Sequence, residues 1–395
     1  MVRSRSELDR TTPVNPNQTM HFALGNLCER FGVNLSQRDQ EINMNRSLPI
    51  GLVVLAWITG ILGCGPSEDA KQASLVKTPP PLATTVGDYQ LLAPIEAGSV
   101  QLIPITMVSN PVLPKDQAQG LREDIITLAE AKKLGTVKIT EDEGENEVNA
   151  LKVTNTGTKA ILLMGGDLLI GGHQDRIVAH DVLIPPGKTI SVEVFCVEQG
   201  RWSGPTEHFE YNDTVVPDKV RKAAYKGQSE VWSEVDGYNS RTGFSQGSIT
   251  VAQGMGSKKV QELIGTNLTK VKSELDKNPE VIGVMFVLNG KVQTMDLFGS
   301  PKFFASARDS ILKGYLAEGA TVAKDPASHL KMEEAQDFIR EMMRGRRKGR
   351  TADGDTKEAF RVSNGGTIGF EVQAPSEGGK AGAAPLIHGN YSKEK

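Results

Sequence analysis

The chain has 395 residues with 41 Gly, 20 Pro, 38% hydrophobic and 5% aromatic residues, which excludes a collagen, a coiled-coil rod and a polytopic membrane protein. Its 45 basic and 48 acidic side chains leave a net charge of −3, so nothing global points to nucleic acid as a partner. The length allows two domains, and the cysteines Cys28, Cys64 and Cys196 are too few for a disulfide framework.

In chain order, residues 1–43 are polar and read as a misassigned start, with translation beginning at Met44, or as a genuine extension. Residues 44–63 carry Arg46, then an apolar run from Leu48 to Leu62 and a small residue, the layout of a signal peptide. The run is shorter than the about 20 residues of a membrane-spanning helix. Ile61-Leu62-Gly63-Cys64 resembles the lipobox of bacterial lipoproteins, which implies lipidation of Cys64 and an anchored domain outside the cytoplasm, at the inner or outer membrane. Several acyl chains give stable anchoring where one is marginal. Residues 64–87, with Thr78-Pro79-Pro80-Pro81, have the composition of a tether.

From Tyr89 the pattern turns β-rich over 88–205. Strands are expected at Gln101–Val108, Thr136–Thr140, around Val148–Val153, at Ala160–Met164, Asp167–Ile170, Arg176–Ile184 and Thr189–Val197. Thr127-Leu-Ala-Glu130 reads as a capping box opening a short helix that Gly135 stops. Over 206–345 helices enter, at Val220–Val235 around Gly227 and at Val260–Leu275. Asn289-Gly290 joins two apolar runs as a hairpin. Ser300-Pro301 opens a helix to Gly319, and another runs from Asp325-Pro326 to Gly345. The tail 346–395 is basic, then Gly-rich, with a last strand at Thr367–Val372; the run Arg344–Arg350 reads as a solvated helix end. The fold class is therefore α+β, a β-rich, sandwich-like first half followed by a helical half with a β-hairpin.

Two motifs carry the functional reading. Gly165-Gly166-Asp167-Leu-Leu-Ile-Gly171-Gly172-His173-Gln174-Asp175-Arg176 pairs glycines around a short strand. Their N–H groups suit an anion nest, or the glycines are turns and Arg176 pairs with Asp175 or Glu198. In Cys196-Val-Glu198-Gln199-Gly200-Arg201-Trp202, Cys196 shares the face of Val192 and Val194 and reads as core. Arg201 and Trp202 offer a guanidinium beside a stacking plane. His173, His180, Asp181 and His208 lack metal-ligand spacing, so no metal and no cofactor is expected.

These motifs, with VNALKVTN and GVMFVLNGKVQTMDLFGSPKFF, resemble a domain family named for its association with ADP-ribosylglycohydrolases and rhodanese-phosphatase proteins. The similarity spans roughly Tyr89 to Leu316. Gly166-Asp167 departs from the family's usual Gly-Glu, keeping the carboxylate but shortening its reach. The resemblance implies a link to ADP-ribose or NAD metabolism and no established activity. The expected function is recognition of a nucleotide-like ligand by Asp167, Gln174, Arg176, Glu198, Arg201 and Trp202. The alternatives are an enzyme using Asp167 or Glu198 as acid/base, and a structural or partner-binding lipoprotein. A cleft holding the six side chains favours the first two; their burial in mutual ion pairs favours the third.

Overall fold

Alternation of apolar residues builds a long first ribbon: Ala83–Val86 (β1), Tyr89–Leu92 (β2), Ile95–Ala97 (β3) and Val100–Met107 (β4). Ile125–Thr127 (β5) runs into Leu128–Leu134 (α1), whose Thr127–Glu130 capping box and left-handed Gly135 stop are as the sequence predicts. Then come Val137–Glu141 (β6), Ala150–Asn155 (β7), Ala160–Leu163 (β8), Asp167–Gly171 (β9), Arg176–Val178 (β10), Val182–Ile184 (β11), Thr189–Cys196 (β12) and Phe209–Val215 (β13). The computed structural model describes residues 83–108, 124–142, 149–198, 200, 208–244, 250–349, 359–364, 366–373 and 386–394, all in the compact unit Val76–Lys395. The expected signal segment, Cys64, most of the expected tether, Arg201 and Trp202 lie outside the described residues. No helix among the described residues is long and apolar enough to cross a membrane.

The helical half contains Asp218–Ala223 (α2), Gln228–Thr242 (α3), Val251–Met255 (α4) and Lys258–Asp276 (α5), then the hairpin Gly283–Leu288 (β14) and Lys291–Phe298 (β15). At the hairpin tip Asn289 and Gly290 have φ of 44° and 71°, the positive pair a two-residue type I′ turn needs. Pro301–Ala320 (α6) begins as expected, with the Ser300 hydroxyl accepting the Phe303 N–H. Its inner positions are buried, and Gly314 lets it touch β13: a Cβ there would lie 2.6 Å from a Val215 methyl. Met332–Arg344 (α7) starts later than Asp325, because Asp325–Ser328 closes a turn of its own. Ala335, Phe338, Ile339 and Met342 form its buried stripe. Arg346–Gly349 (β16), Ala359–Asn364 (β17), Thr367–Gln373 (β18) and Leu386–Lys393 (β19) complete the chain.

The strands form three sheets: β1-β2-β4-β14-β15-β19-β18-β17-β16 with β3 also on β4, then β13-β9-β10-β12-β7-β6, and β11-β8-β5. Two sequence expectations are corrected here. Arg344 ends the helix exposed, as expected, but Arg346–Gly349 does not continue as a solvated helix end: it is a strand on β17, and Arg347 holds Glu371 through two 2.7 Å bonds. The expected strand 176–184 is broken at Ala179–Asp181; β10 pairs with β12, whereas β11 crosses to β8 in another sheet. The break turns Asp181 inward, where its side chain accepts the Gly165 N–H.

Candidate functional site

Four of the six expected ligand residues are described, and all four are buried: Asp167 at 0%, Arg176 at 1%, Gln174 and Glu198 at 6% exposure. They divide into two groups.

Gln174, Arg176 and Glu198 meet where β10 leaves the loop after β9. Arg176 lies opposite Cys196 across the β10–β12 ladder. Its Nη1 donates to the Gln174 carbonyl at 2.8 Å, with longer contacts to the Gln174 amide oxygen at 3.4 Å and the Asp175 carbonyl at 3.5 Å. Its Nε–H is buried with no acceptor, and no carboxylate pairs with the guanidinium among the described residues. The expected pairing with Asp175 or Glu198 does not form, because those carboxylates hold the loop instead. Asp175 accepts from the Gly171 N–H and the Thr250 hydroxyl, and Glu198 accepts the Asp175 N–H. Cys196 is buried at 2%, as its alternation predicts, and burial pushes its thiol pKa up against the pull of Arg176. The Gln228 side chain clamps its backbone at both N–H and C=O.

The paired glycines serve the chain itself. The N–H groups of Gly165, Gly171 and His173 bond to carboxylates of Asp181, Asp175 and Glu141, so the expected nest already holds protein anions. Gly166, at φ 90°, is needed for a second reason: a Cβ there would lie 2.8 Å from the Arg221 side chain.

Asp167 belongs to the second group, a buried charged network that the motif reading missed. Its Oδ2 accepts the Met164 N–H at 2.8 Å. Burial raises its pKa to about 7, against the opposing pulls of that N–H, the Tyr211 hydroxyl and Arg221. Nearby, Arg221 of α2 donates through Nε to the Gly165 carbonyl at 2.6 Å and through Nη1 to both oxygens of Asp296 at 3.0 Å. Asp296, on β15, also accepts from Tyr315 of α6 and from Asn390 and His388 of β19. Burial alone would raise the Asp296 pKa, but the charges of Arg221 and His388 hold it well below the carboxylate range. His388 lies between Asp181 at 2.6 Å and Asp296 at 3.0 Å. Burial would lower its pKa, yet the two carboxylates carry it to about 9, so the ring is an imidazolium donating from both nitrogens. Two cations thus balance two anions at a junction of both large sheets with α2 and α6. This charge-balanced arrangement locks the interior and occupies both ring nitrogens of His388, although Arg221 Nη2 and Asp167 Oδ1 are buried without a partner among the described residues. The sequence signal was Asp296 itself, a lone carboxylate between Met295 and Leu297 in an apolar strand.

These features define a mixed α/β domain with a charge-balanced interior and, among the described residues, a buried guanidinium at Arg176 without an ion pair. The chain belongs to the ARG and Rhodanese-Phosphatase-superfamily-associated Protein (ARPP-1) domain family, whose model matches residues 88–389. Neither the curated proteins nor the solved structures contain a match to it.

Proposed function

We propose that the chain is a lipid-anchored bacterial envelope protein whose domain recognises a small nucleotide-like ligand of the ADP-ribose or NAD class. Anchoring rests on the Ile61-Leu62-Gly63-Cys64 pattern, and the ligand class on the family's association with ADP-ribosylglycohydrolases. One observation carries the recognition: the Arg176 guanidinium is 1% exposed, has no ion pair among the described residues and keeps Nε–H without an acceptor. An uncompensated buried charge costs several kcal/mol, and a phosphate oxygen placed on Nε recovers much of it. The guanidinium lies beneath the loop whose tip, His173, is exposed, so a ligand displaces Gln174 rather than an ion pair. Arg201 and Trp202, just beyond Glu198 in sequence, complete the set as phosphate and ring contacts. Asp167 supports the site from the interior network without touching the ligand.

A thermal-shift panel of ADP-ribose, NAD and pyrophosphate on residues 76–395 tests this. Binding at 100 times the dissociation constant adds about 2.7 kcal/mol to stability. The expected result is a shift in the wild type that Arg176→Gln loses; no shift from any of the three at millimolar concentration overturns the reading. The enzyme alternative draws on Asp167, whose pKa of about 7 suits a general acid, and breakdown of ADP-ribose by the purified domain, lost in Asp167→Asn, selects it.

A further inference from the structure

The largest sheet curls round α7. That helix packs against β1, β15, β17 and β18, strands from both ends and the middle of the sheet. Its last turn meets the β1–β2 turn: a Cβ on Gly87 would lie 2.6 Å from the Met343 methyl carbon. Burial raises the Tyr89 pKa, and the nearby Glu371 of β18 raises it further while Arg347 of β16 opposes, so β2 faces those strands. β1 and β16 stand at opposite ends of the strand order, and the curl brings them to one side of the domain.

That side is basic. Arg344 ends α7 exposed, and Arg346–Gly349 is exposed at all four positions. Arg347 turns to Glu371, so by strand alternation Arg346 and Lys348 share the other face. No carboxylate pairs with Arg344, Arg346 or Lys348 among the described residues. The acidic groups around them are engaged. Glu371 holds Arg347 and the Tyr391 hydroxyl, Asp337 pairs with Arg340, Glu334 with Lys393, and Glu341 accepts from the Thr367 hydroxyl. Glu193, which shares a surface depression with Lys348, lies 3.5 Å from His180. Met343, 43% exposed, adds an apolar side chain next to Arg344.

Charges on the free edge of a sheet keep other strands away. Position gives these a second role. Ala83 opens β1, about 13 Å of strand from Gly87. Cys64 is 19 positions before Ala83, at most roughly 63 Å of chain. A chain anchored at Cys64 is therefore held through β1, beside the basic strand. We infer that Arg344, Arg346 and Lys348, with Met343, dock on the anionic lipid headgroups of the bilayer that holds the anchor, an inference that rests on the proposed lipid anchor. Each basic side chain near an anionic surface strengthens binding about fivefold, and Met343 enters the headgroup region. Docking holds the domain in one orientation instead of letting it swing on its tether.

Co-sedimentation of residues 76–395, the compact unit, with vesicles tests the docking. This chain lacks Cys64, so the result stands apart from whether Cys64 is lipidated. Vesicles of phosphatidylglycerol and phosphatidylcholine in equal parts should bind it at least about tenfold more tightly than phosphatidylcholine alone, and less as salt rises. Arg344→Gln, Arg346→Gln and Lys348→Gln together should weaken that binding at least about tenfold. Lys133→Gln, Lys188→Gln and Lys259→Gln remove the same charge from exposed sites on other elements and should weaken it less than about threefold. Urea unfolding checks that both variants stay folded. Equal binding to the two kinds of vesicle, or equal losses in the two triple variants, overturns the inference. Tighter binding to a single-stranded RNA of random sequence than to the anionic vesicles overturns it too.

Discussion

Replacing Arg176 with Met is expected to make the ligand-free domain more stable, or no less stable, while removing ligand binding. Arg176 makes one good hydrogen bond, at 2.8 Å to the Gln174 carbonyl, and two long contacts at 3.4 and 3.5 Å. A hydrogen bond from a charged donor is worth about 1.5–3 kcal/mol, and its loss also leaves the carbonyl wanting a donor. Against this, an unpaired guanidinium that is 1% exposed and lacks an acceptor at Nε carries a desolvation penalty of several kcal/mol. Met keeps most of the apolar stem and removes the charge. The balance is a gain of about 0–2 kcal/mol, in line with buried ionic groups replaced by hydrophobes. Urea unfolding of residues 76–395 at pH 7 measures it, with the slope against denaturant checked for constancy. Destabilisation by more than about 2 kcal/mol would refute the reasoning, because the guanidinium would then be a structural tie.

The buried imidazolium makes stability pH-dependent. His388 goes from 6.5 to about 9 on folding, so it contributes about 3 kcal/mol that is fully present below pH 6.5 and lost as pH rises through 9. Urea midpoints from pH 6 to 10 should fall accordingly, and His388→Gln should flatten that fall. Asp167 is raised from 3.8 to about 7, so the folded state binds its proton more tightly and stability declines as pH rises between those values; Asp167→Asn should remove that decline. Cys196→Ser should cost about 1–3 kcal/mol, a hydroxyl replacing a thiol in the core, and loss of binding at unchanged stability would contradict the packing role. Cys64→Ser in cells should abolish lipid labelling and leave an uncleaved precursor, whereas a processed, soluble wild-type protein would remove the anchor.

Local signals survived into the structure because local geometry decides them. The Asn289-Gly290 turn, the Thr127–Glu130 capping box and the Ser300 cap each involve residues at most three apart, and all three formed. The charged interior was not legible: Asp181 and His388 are 207 positions apart, and Asp296 and His388 are 92 apart. No periodicity carries such a pairing, although a carboxylate inside an apolar strand requires some partner. Which of the two readings of the glycine pairs holds was not legible for the same reason, because the Asp181 that accepts the Gly165 N–H comes from a break in an expected strand, 16 positions away.

A crystal structure of residues 76–395 with ADP-ribose most directly tests the claim that Arg176 is a ligand cation. The account predicts a phosphate oxygen at hydrogen-bond distance, about 2.7–2.9 Å, from Arg176 Nε, with Gln174 displaced from its present contact. Ligand bound elsewhere while Nε keeps no acceptor, or no ligand at saturating concentration, would contradict it.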